Sequence, residues 1–393
     1  MDEAENINIE IEKEDLGSIP NITVPFNPSE IKMDTQTINL GSVLEMLEYG
    51  AINLKPDFQR SADLWSDTQK SRLIESILLG IPLPSFYFNE DTNGKLEVID
   101  GLQRLCALKD FIPTEEERNE NGQFKKLKLL NLEFLQKQYE GKFYDQLTRE
   151  DKRRISLHKI TLNIINKTTP KEVKYIIFKR VNTAGLQLTP QEMRHALNQG
   201  FPADFIRELA EIKEFKLATD NKIPSKRMED RDFTNRFVAF YLVSNIETLK
   251  TKYFGELDTF LNSQLQYLDD LNNFSSNIPV QLKDDFKKSM LLSFEIFGND
   301  AFRKRNDIDA PRKPISKSVF DALSVNLAWL NDTQREVLYE RRIGFKLGLI
   351  SLFNDPKFSF SISTGTAQKA NVEKRFEEIY KLIQYIINDD RIL

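Results

Sequence analysis

The residues of this chain best suited to chemistry stand together at Asp100-Gly101-Leu102-Gln103-Arg104. Leu96-Glu97-Val98-Ile99 before them alternates as a strand, and Leu102 to Phe111 after them follows helical spacing through Leu105, Ala107 and Leu108. A strand therefore turns into a helix at a glycine. Such a turn gathers backbone N–H groups, an amide and a guanidinium at one point, which makes an anion site. Gly101 lets the chain bend and a phosphate approach the backbone, the helix N-terminus supplies partial positive charge, and Arg104 can grip two phosphate oxygens. Asp100 beside it would hold a metal ion or orient water. The competing reading is structural, with Asp100 as an N-cap and Arg104 in an ion pair.

Several elements must position that turn. Ile38 to Tyr49 is a short amphipathic helix ended by Gly50, and Leu54 to Arg60 reads as extended because Pro56 biases its predecessor away from the helical region. Ser66-x-x-Gln69 makes a capping box for a helix carrying Leu73, Ile74, Ile77 and Leu78 on one face, stopped by Gly80 and Pro82. Ser85-Phe-Tyr-Phe88, a turn over residues 89–94, and Leu96 to Ile99 form a β-hairpin that feeds into Asp100. Residues 113–158 are charged and irregular, with helical pieces near 129–138 and 149–157, and they suggest little function. Lys159 to Ile165 reads as a strand. Pro170 opens a helix through Phe178, residues 181–188 form a loop, and Thr189-Pro190 with Glu192 caps the next helix. Beyond residue 200 the pattern is helical, with helices near 203–215, 231–248, 255–271, 279–297, 315–330, 332–354 and 370–388.

At 393 residues the chain exceeds the size, about 250–300 residues, at which one core stops growing, so two domains are expected. Twenty-eight phenylalanines against 15 glycines and 15 prolines fit a compact, helix-rich interior. Residues 1–20 carry seven acids against Lys13, a local −6 within an overall −5, so the remaining body is near neutral and any polyanion site must be a local patch. The organisation expected is an acidic, solvated, flexible leader (1–34), an α+β domain (35–200) and an all-α domain (201–393). A single cysteine, Cys106, excludes an intramolecular disulfide and multi-cysteine metal sites and suits a reducing compartment. No run approaches the roughly 18 apolar residues of a membrane span, so a cytoplasmic protein with no membrane partner is expected.

Leu-Ile-Glu-Ser-Ile-Leu-Leu-Gly-Ile-Pro-Leu-Pro, the hairpin, and Val-Ile-Asp-Gly-Leu-Gln-Arg-Leu together resemble the ParB/sulfiredoxin core. Pro56-Asp57-Phe58-Gln59-Arg60 with Trp65 is similar to the opening motif of the GmrSD restriction endonuclease N-terminal family. Phe178-x-Arg180-x-Asn182-x-x-Gly185 with Leu188 and Glu192 is similar to its third motif. Three ordered motifs over roughly residues 35–200 are more specific than a lone Asp-Gly turn. The resemblance implies a ParB/sulfiredoxin-like fold, nucleotide binding and hydrolysis, and defence against foreign DNA. It implies that Gln59, Arg60, Arg180 and Asn182 line a pocket with Gly101, that Asp100, Gln103 and Arg104 form its reactive end, and that an NTP binds with Mg²⁺ held at Asp100. The family's central motif reads Asp-Gly-Gln-Gln-Arg, and this chain has Leu102 at the first Gln. Hydrolysis is weakened if that Gln positions water or phosphate, and unaffected if the position faces the core. Arg60 also suits a surface pair with Asp57 or Asp63, and Asn182 a self-satisfied turn.

Many relatives carry an HNH nuclease needing several histidines, whereas this chain has only His158 and His195, so such a domain is not expected. Asp57, Lys95, Glu97 and Asp100 make a poor carboxylate nuclease, since Lys95 and Glu97 look like ordinary exposed strand residues. His195 and Cys106 read as packed residues. Of two basic clusters, that of Arg149 to Lys159 reads as a solvated face. The one at Arg303, Lys304, Arg305, Arg312 and Lys313 is the better DNA candidate. Residues 358–366 lead into a helix with Lys369, Lys374 and Arg375, either an anion-receptive terminus or an ordinary Thr cap. The leading expectation is thus a nucleotide-binding defence protein acting with a separate nuclease or other partner. The alternative is a DNA- or partner-binding module with a structural Asp-Gly motif.

Overall fold

A computed structural model describes residues 10–16, 31–54, 65–91, 93–113, 127–170, 173–174, 177, 180–181, 189–274 and 276–388. Two compact units result: Pro25–Leu188, and Thr189–Leu393 joined by the N-terminal Met1–Val24.

The first unit is α+β. In chain order it runs β1 (Met33–Asn39), α1 (Leu40–Glu48), β2 (Ile52–Asn53), α2 (Asp67–Leu78), β3 (Phe86–Glu90), β4 (Leu96–Asp100), α3 (Leu102–Phe111), α4 (Arg149–Leu157) and β5 (Lys159–Ile165). The sheet order is β1-β5-β3-β4-β2. The hairpin pair β3/β4 and the outer pair β1/β5 are antiparallel, whereas β5/β3 and β4/β2 are parallel. The Ser66/Gln69 capping box forms at the start of α2, whose Leu73, Ile74, Ile77 and Leu78 are buried as their spacing predicts. The segment after α3 is less helical than expected, with one turn at Gln136–Tyr139. It is anchored by Glu75 of α2, which accepts the N–H groups of Glu133, Phe134 and Leu135 at 3.0, 2.7 and 2.8 Å. Burial opposes ionisation of Glu75, but these three donors and Arg72 hold its carboxyl below the usual glutamate range.

The second unit is all-α: α5 (Pro190–Leu197), α6 (Phe201–Glu211), α7 (Lys213–Ala218), α8 (Glu229–Tyr241), α9 (Ile246–Lys252), α10 (Leu257–Asn273), α11 (Ile278–Phe297), α12 (Lys317–Ala328), α13 (Asp332–Glu340), α14 (Arg342–Asn354), α15 (Pro356–Ser361) and α16 (Lys369–Asn388). Phenylalanine fills its interior. The ring of Phe320 packs on those of Phe233 and Phe302 at 5.0 and 4.8 Å, and Phe240 on Phe260 and Phe376 at 5.1 and 4.9 Å. The boundary expected near residue 200 lies at 188, because α5 is tied into this unit. Its Arg194 pairs with Asp232 and Asp258 at 2.6 and 2.8 Å, and its Glu192 with Arg227 at 2.8 Å.

The core contains charge as well as rings. Arg236 of α8 donates to both carboxylate oxygens of Asp321 of α12, at 2.9 and 2.6 Å, and Arg375 of α16 reaches the same aspartate at 3.3 Å. All three are essentially inaccessible to water. Beside them Asp232 accepts Lys317 at 2.7 Å as well as Arg194. Burial alone would raise the Asp232 carboxyl, but Lys317 and Arg194 outweigh it and hold the group far below the usual range.

The leader departs from expectation. Residues 10–16 are not a free acidic tail but an extended strap on the helical unit. Ile11 bridges Ile315, Glu12 N–H donates to the Ile315 carbonyl at 2.8 Å, and Ile315 N–H to the Glu10 carbonyl at 2.7 Å. Its acids meet cations that lie more than two hundred residues away in sequence, a complement that local composition does not reveal.

Removing one partner from a buried ion network leaves uncompensated charge and costs about 3–5 kcal/mol. Asp321→Asn is expected to lower the unfolding free energy by about 3 kcal/mol in a urea titration. Because the folded pKa of Asp232 is depressed, its contribution is fully present above about pH 4 and fades as the pH falls below that. In Asp232→Asn the difference between urea midpoints at pH 7 and pH 3 should shrink.

Candidate functional site

The β3/β4 register puts Asn89 opposite Glu97 and Phe88 opposite Val98, but then Tyr87 opposite Asp100. Ile99 is the extra residue of a β-bulge. Val98 and Ile99 are consecutively buried, and the alternation resumes with its phase shifted, so Asp100 comes onto the same half-buried face as Tyr87, Asn89 and Glu97. The row continues across the sheet, because Tyr87 also pairs with Asn163 of β5 and Asn163 with Thr35 of β1. Thr35 donates its hydroxyl to Asn163 Oδ1 at 2.8 Å. In the next row the buried Lys174 donates to Asn89 Oδ1 at 2.6 Å, and Asn89 Nδ2 to Glu97 Oε2 at 2.9 Å. One face of the sheet therefore carries rows of polar side chains, one of which ends at Asp100.

The chain then turns. Gly101 is the N-cap of α3 with φ of 104°, no side chain caps this helix, and its first turn carries no acid. A Cβ on Gly101 would lie 2.4 Å from Phe86 Cδ1, so the space beside this glycine is taken by the Phe86 ring. Arg104, one turn along, is buried. Its Nη2 donates to Asp100 Oδ2 at 2.8 Å and to the Ser85 carbonyl at 3.2 Å, and its Nη1 to the Pro84 carbonyl. The guanidinium lies 4.4 Å from the centre of the Phe86 ring. Burial raises the Asp100 carboxyl above the usual aspartate range against the pull of Arg104, and lowers Arg104 against the pull of Asp100.

The ion-pair half of the structural reading is thus present and the N-cap half is not, since Gly101 occupies the cap. Gln103 is half-buried on the first turn of α3, and Leu102 is buried. Arg180 is exposed. Gln59, Arg60 and Asn182 lie outside the described residues. Cys106 and His195 are packed, as expected. Glu97 was read as an ordinary exposed residue but belongs to the polar face. Tyr87, Asn89, Asn163, Thr35 and Lys174 were not singled out at all. The available signal was asparagine inside two apolar strands, where its propensity is poor.

Among the described residues no three His, Cys, Asp or Glu side chains cluster to hold a metal. Asp100 as a single carboxylate suits Mg²⁺ that arrives with phosphates, because that ion is bound by one or two carboxylates plus substrate oxygens and water. The basic candidates for DNA are engaged within the helical unit. Arg303 pairs with Glu10, Lys304 with Glu12, Arg305 with Asp300 and Arg312 with Asp220 at 3.2, 2.7, 2.7 and 2.9 Å, and Lys313 donates to Asn306 at 2.6 Å.

Residues 41–199 match the family model described as the N-terminal domain of the GmrSD restriction endonuclease. They form a GmrSD-type N-terminal domain. No curated protein and no solved structure matches the chain. The matched range contains the bulge, the turn and the polar face apart from Thr35 of β1, and it ends with α5, which packs in the helical unit. Among the described residues no helix is long and apolar enough to cross a membrane. Gly101→Ala forces a strained φ and a clash with Phe86, each costing roughly 1–3 kcal/mol. The variant is expected to lose about 2 kcal/mol or more in a urea titration and to show a lower Tm.

Proposed function

We propose that the GmrSD-type domain binds a nucleoside triphosphate with Mg²⁺ at the Asp100-Gly101 turn, in the restriction and phage-defence setting that its family implies. The observation that carries this reading is the bulge, which sets the Asp100 carboxylate on the polar face beside a helix N-terminus without a side-chain cap. The N–H groups of the first turn of α3 and the Gln103 amide receive phosphate oxygens. The family resemblance adds Gln59, Arg60, Arg180 and Asn182 to the residues proposed for binding. Arg104 acts as a positioning residue, since its guanidinium holds Asp100 and the entry to β3 in place. Mg²⁺, when bound with the phosphates, neutralises charge at the transferring group. Asp100 orients it or a water molecule, and no covalent intermediate is required. The burial of Leu102 supports retained function, because that position faces the core and presents no group to the site. Work on DNA falls to a separate partner, and the cytoplasm is the compartment. The alternative of direct DNA binding by the helical unit is disfavoured by the internal ion pairs of its basic residues.

Calorimetric titration of ATP, GTP, CTP and UTP into the full chain, with and without Mg²⁺, tests the proposal. At least one nucleotide is expected to bind. Gln103→Ala should weaken it roughly tenfold, the loss of one hydrogen bond to a charged group. Asp100→Asn should keep metal-free binding but lose the Mg²⁺ enhancement. Since the Asp100 carboxyl keeps its proton to higher pH than an ordinary aspartate, that enhancement should fade on acidification before an exposed aspartate would titrate. Absence of binding by any nucleotide to folded wild-type protein would overturn the reading.

A further inference from the structure

The acidic strap and its groove lie outside the nucleotide reading. Glu10, Glu12 and Glu14 occur at alternate positions of an extended segment, so they repeat on one side of it. Each finds a cation of the helical unit: Glu10 meets Arg303 at 3.2 Å, Glu12 meets Lys304 at 2.7 Å, and Glu14 meets both terminal nitrogens of Arg236 at 2.9 and 3.0 Å. The main chain is read too. Ile315 pairs with it on both sides of Ile11, and Thr366 N–H donates to the Asp15 carbonyl at 2.8 Å. The Thr366 hydroxyl adds a contact to Glu14 at 3.4 Å. Thr366, before the α16 terminus that suggested anion binding in the sequence, is thus engaged by the Glu14 carboxylate and the main-chain carbonyl of Asp15.

The fit is that of a ligand lying on a surface. None of residues 10–16 is buried, whereas Arg236 and Arg303 beneath them are almost wholly so. Nor is the fit complete, because Nη2 of the buried Arg303 has no hydrogen-bond partner among the described residues. Among the described residues, ion pairs and backbone hydrogen bonds dominate the attachment, with Ile11 packed against the core. Such an attachment is weakened by salt and open to competition.

We propose that this groove is a docking site for an extended acidic peptide of a partner protein, and that residues 10–16 fill it in cis as an exchangeable latch. A peptide is the occupant that the main-chain pairing selects, since strand addition supplies both backbone bonds and alternate side-chain contacts. In the free chain the tethered latch competes at an effective concentration on the order of millimolar, so a partner enters when the latch is weakened or outmatched.

The test uses a fluorescein-labelled peptide copying residues 7–16, titrated into the full chain by fluorescence anisotropy at low salt. Wild type is expected to bind it weakly. The Glu10→Gln/Glu12→Gln/Glu14→Gln variant should bind at least tenfold more tightly, and adding Lys304→Glu to it should abolish the gain. Higher salt should weaken the complex. If the triple variant melts well below wild type, Glu12→Lys alone replaces it and should give an intermediate gain. Folded variants that gain no affinity for the peptide would overturn the proposal and leave the strap as fixed structure. So would a variant that binds a single-stranded oligonucleotide but not the peptide, since the groove would then select phosphate over peptide.

Discussion

One guanidinium holds the candidate site together. Arg104 is rooted in α3, yet its donors reach the carbonyls of Pro84 and Ser85 that lead into β3 and the carboxylate of Asp100 that ends β4. Three chain segments are fixed relative to one another by one planar, always charged group. The arrangement tolerates no side chain at Gly101, where the Phe86 ring lies under both the turn and the guanidinium. Burial pushes Asp100 and Arg104 toward their neutral forms, and each opposes that shift in the other. The pair therefore holds a carboxylate at the end of a strand where water is scarce.

The helical unit solves a related problem on a larger scale. Phenylalanine rings pack with leucine, isoleucine and valine in its apolar interior, but Arg236, Asp321 and Arg375 sit in that interior without access to water. An aspartate shared by two arginines leaves an excess of positive charge, and Glu14 of the strap supplies a further carboxylate. Ion pairs of this kind add less stability than they add definition, because a misregistered helix would strand a charge. The strap is thus placed where the charge balance of α8, α12 and α16 calls for an anion.

Much of this was legible in the residues. The hairpin, β5, the capped helices α2 and α5, and the α+β then all-α order follow from alternation, helical spacing and capping boxes. Helix breaks were harder. The single helix read over 332–354 is two, α13 and α14, and Arg341 at the junction donates to the carbonyls of Ile386 and Ile387 at the end of α16. Arg341 thus serves the end of α16, a role set by tertiary contact that leaves no local mark in the sequence. The polar β1 and the two-residue β2 were missed because such strands gain definition from pairing and not from their own pattern. In the site, the Asp-Gly turn was visible as a motif, but the bulge that sets the direction of Asp100 is a property of two strands in register. Asn89, Asn163 and Lys174 belong to the site only through that register.

Both units show why a basic motif is an incomplete sign of anion binding. Arg104 has its counterion four residues away, and Arg303 has one 293 residues away. The first can be suspected from the sequence and the second cannot. The consequence for the nucleotide site is specific. With Arg104 held by Asp100 and two carbonyls, the phosphate recognition proposed at the turn would rest on the backbone N–H groups of α3 and on Gln103 more than on a free cation. Such recognition depends on geometry and less on counterion release, so its dependence on salt is shallow. In the strap groove three ion pairs carry the attachment, and the more exposed of them, Glu12 with Lys304, is the one that salt would screen most. Ionic strength would therefore separate the two proposed sites of one chain by the physics that each uses to hold a negative charge.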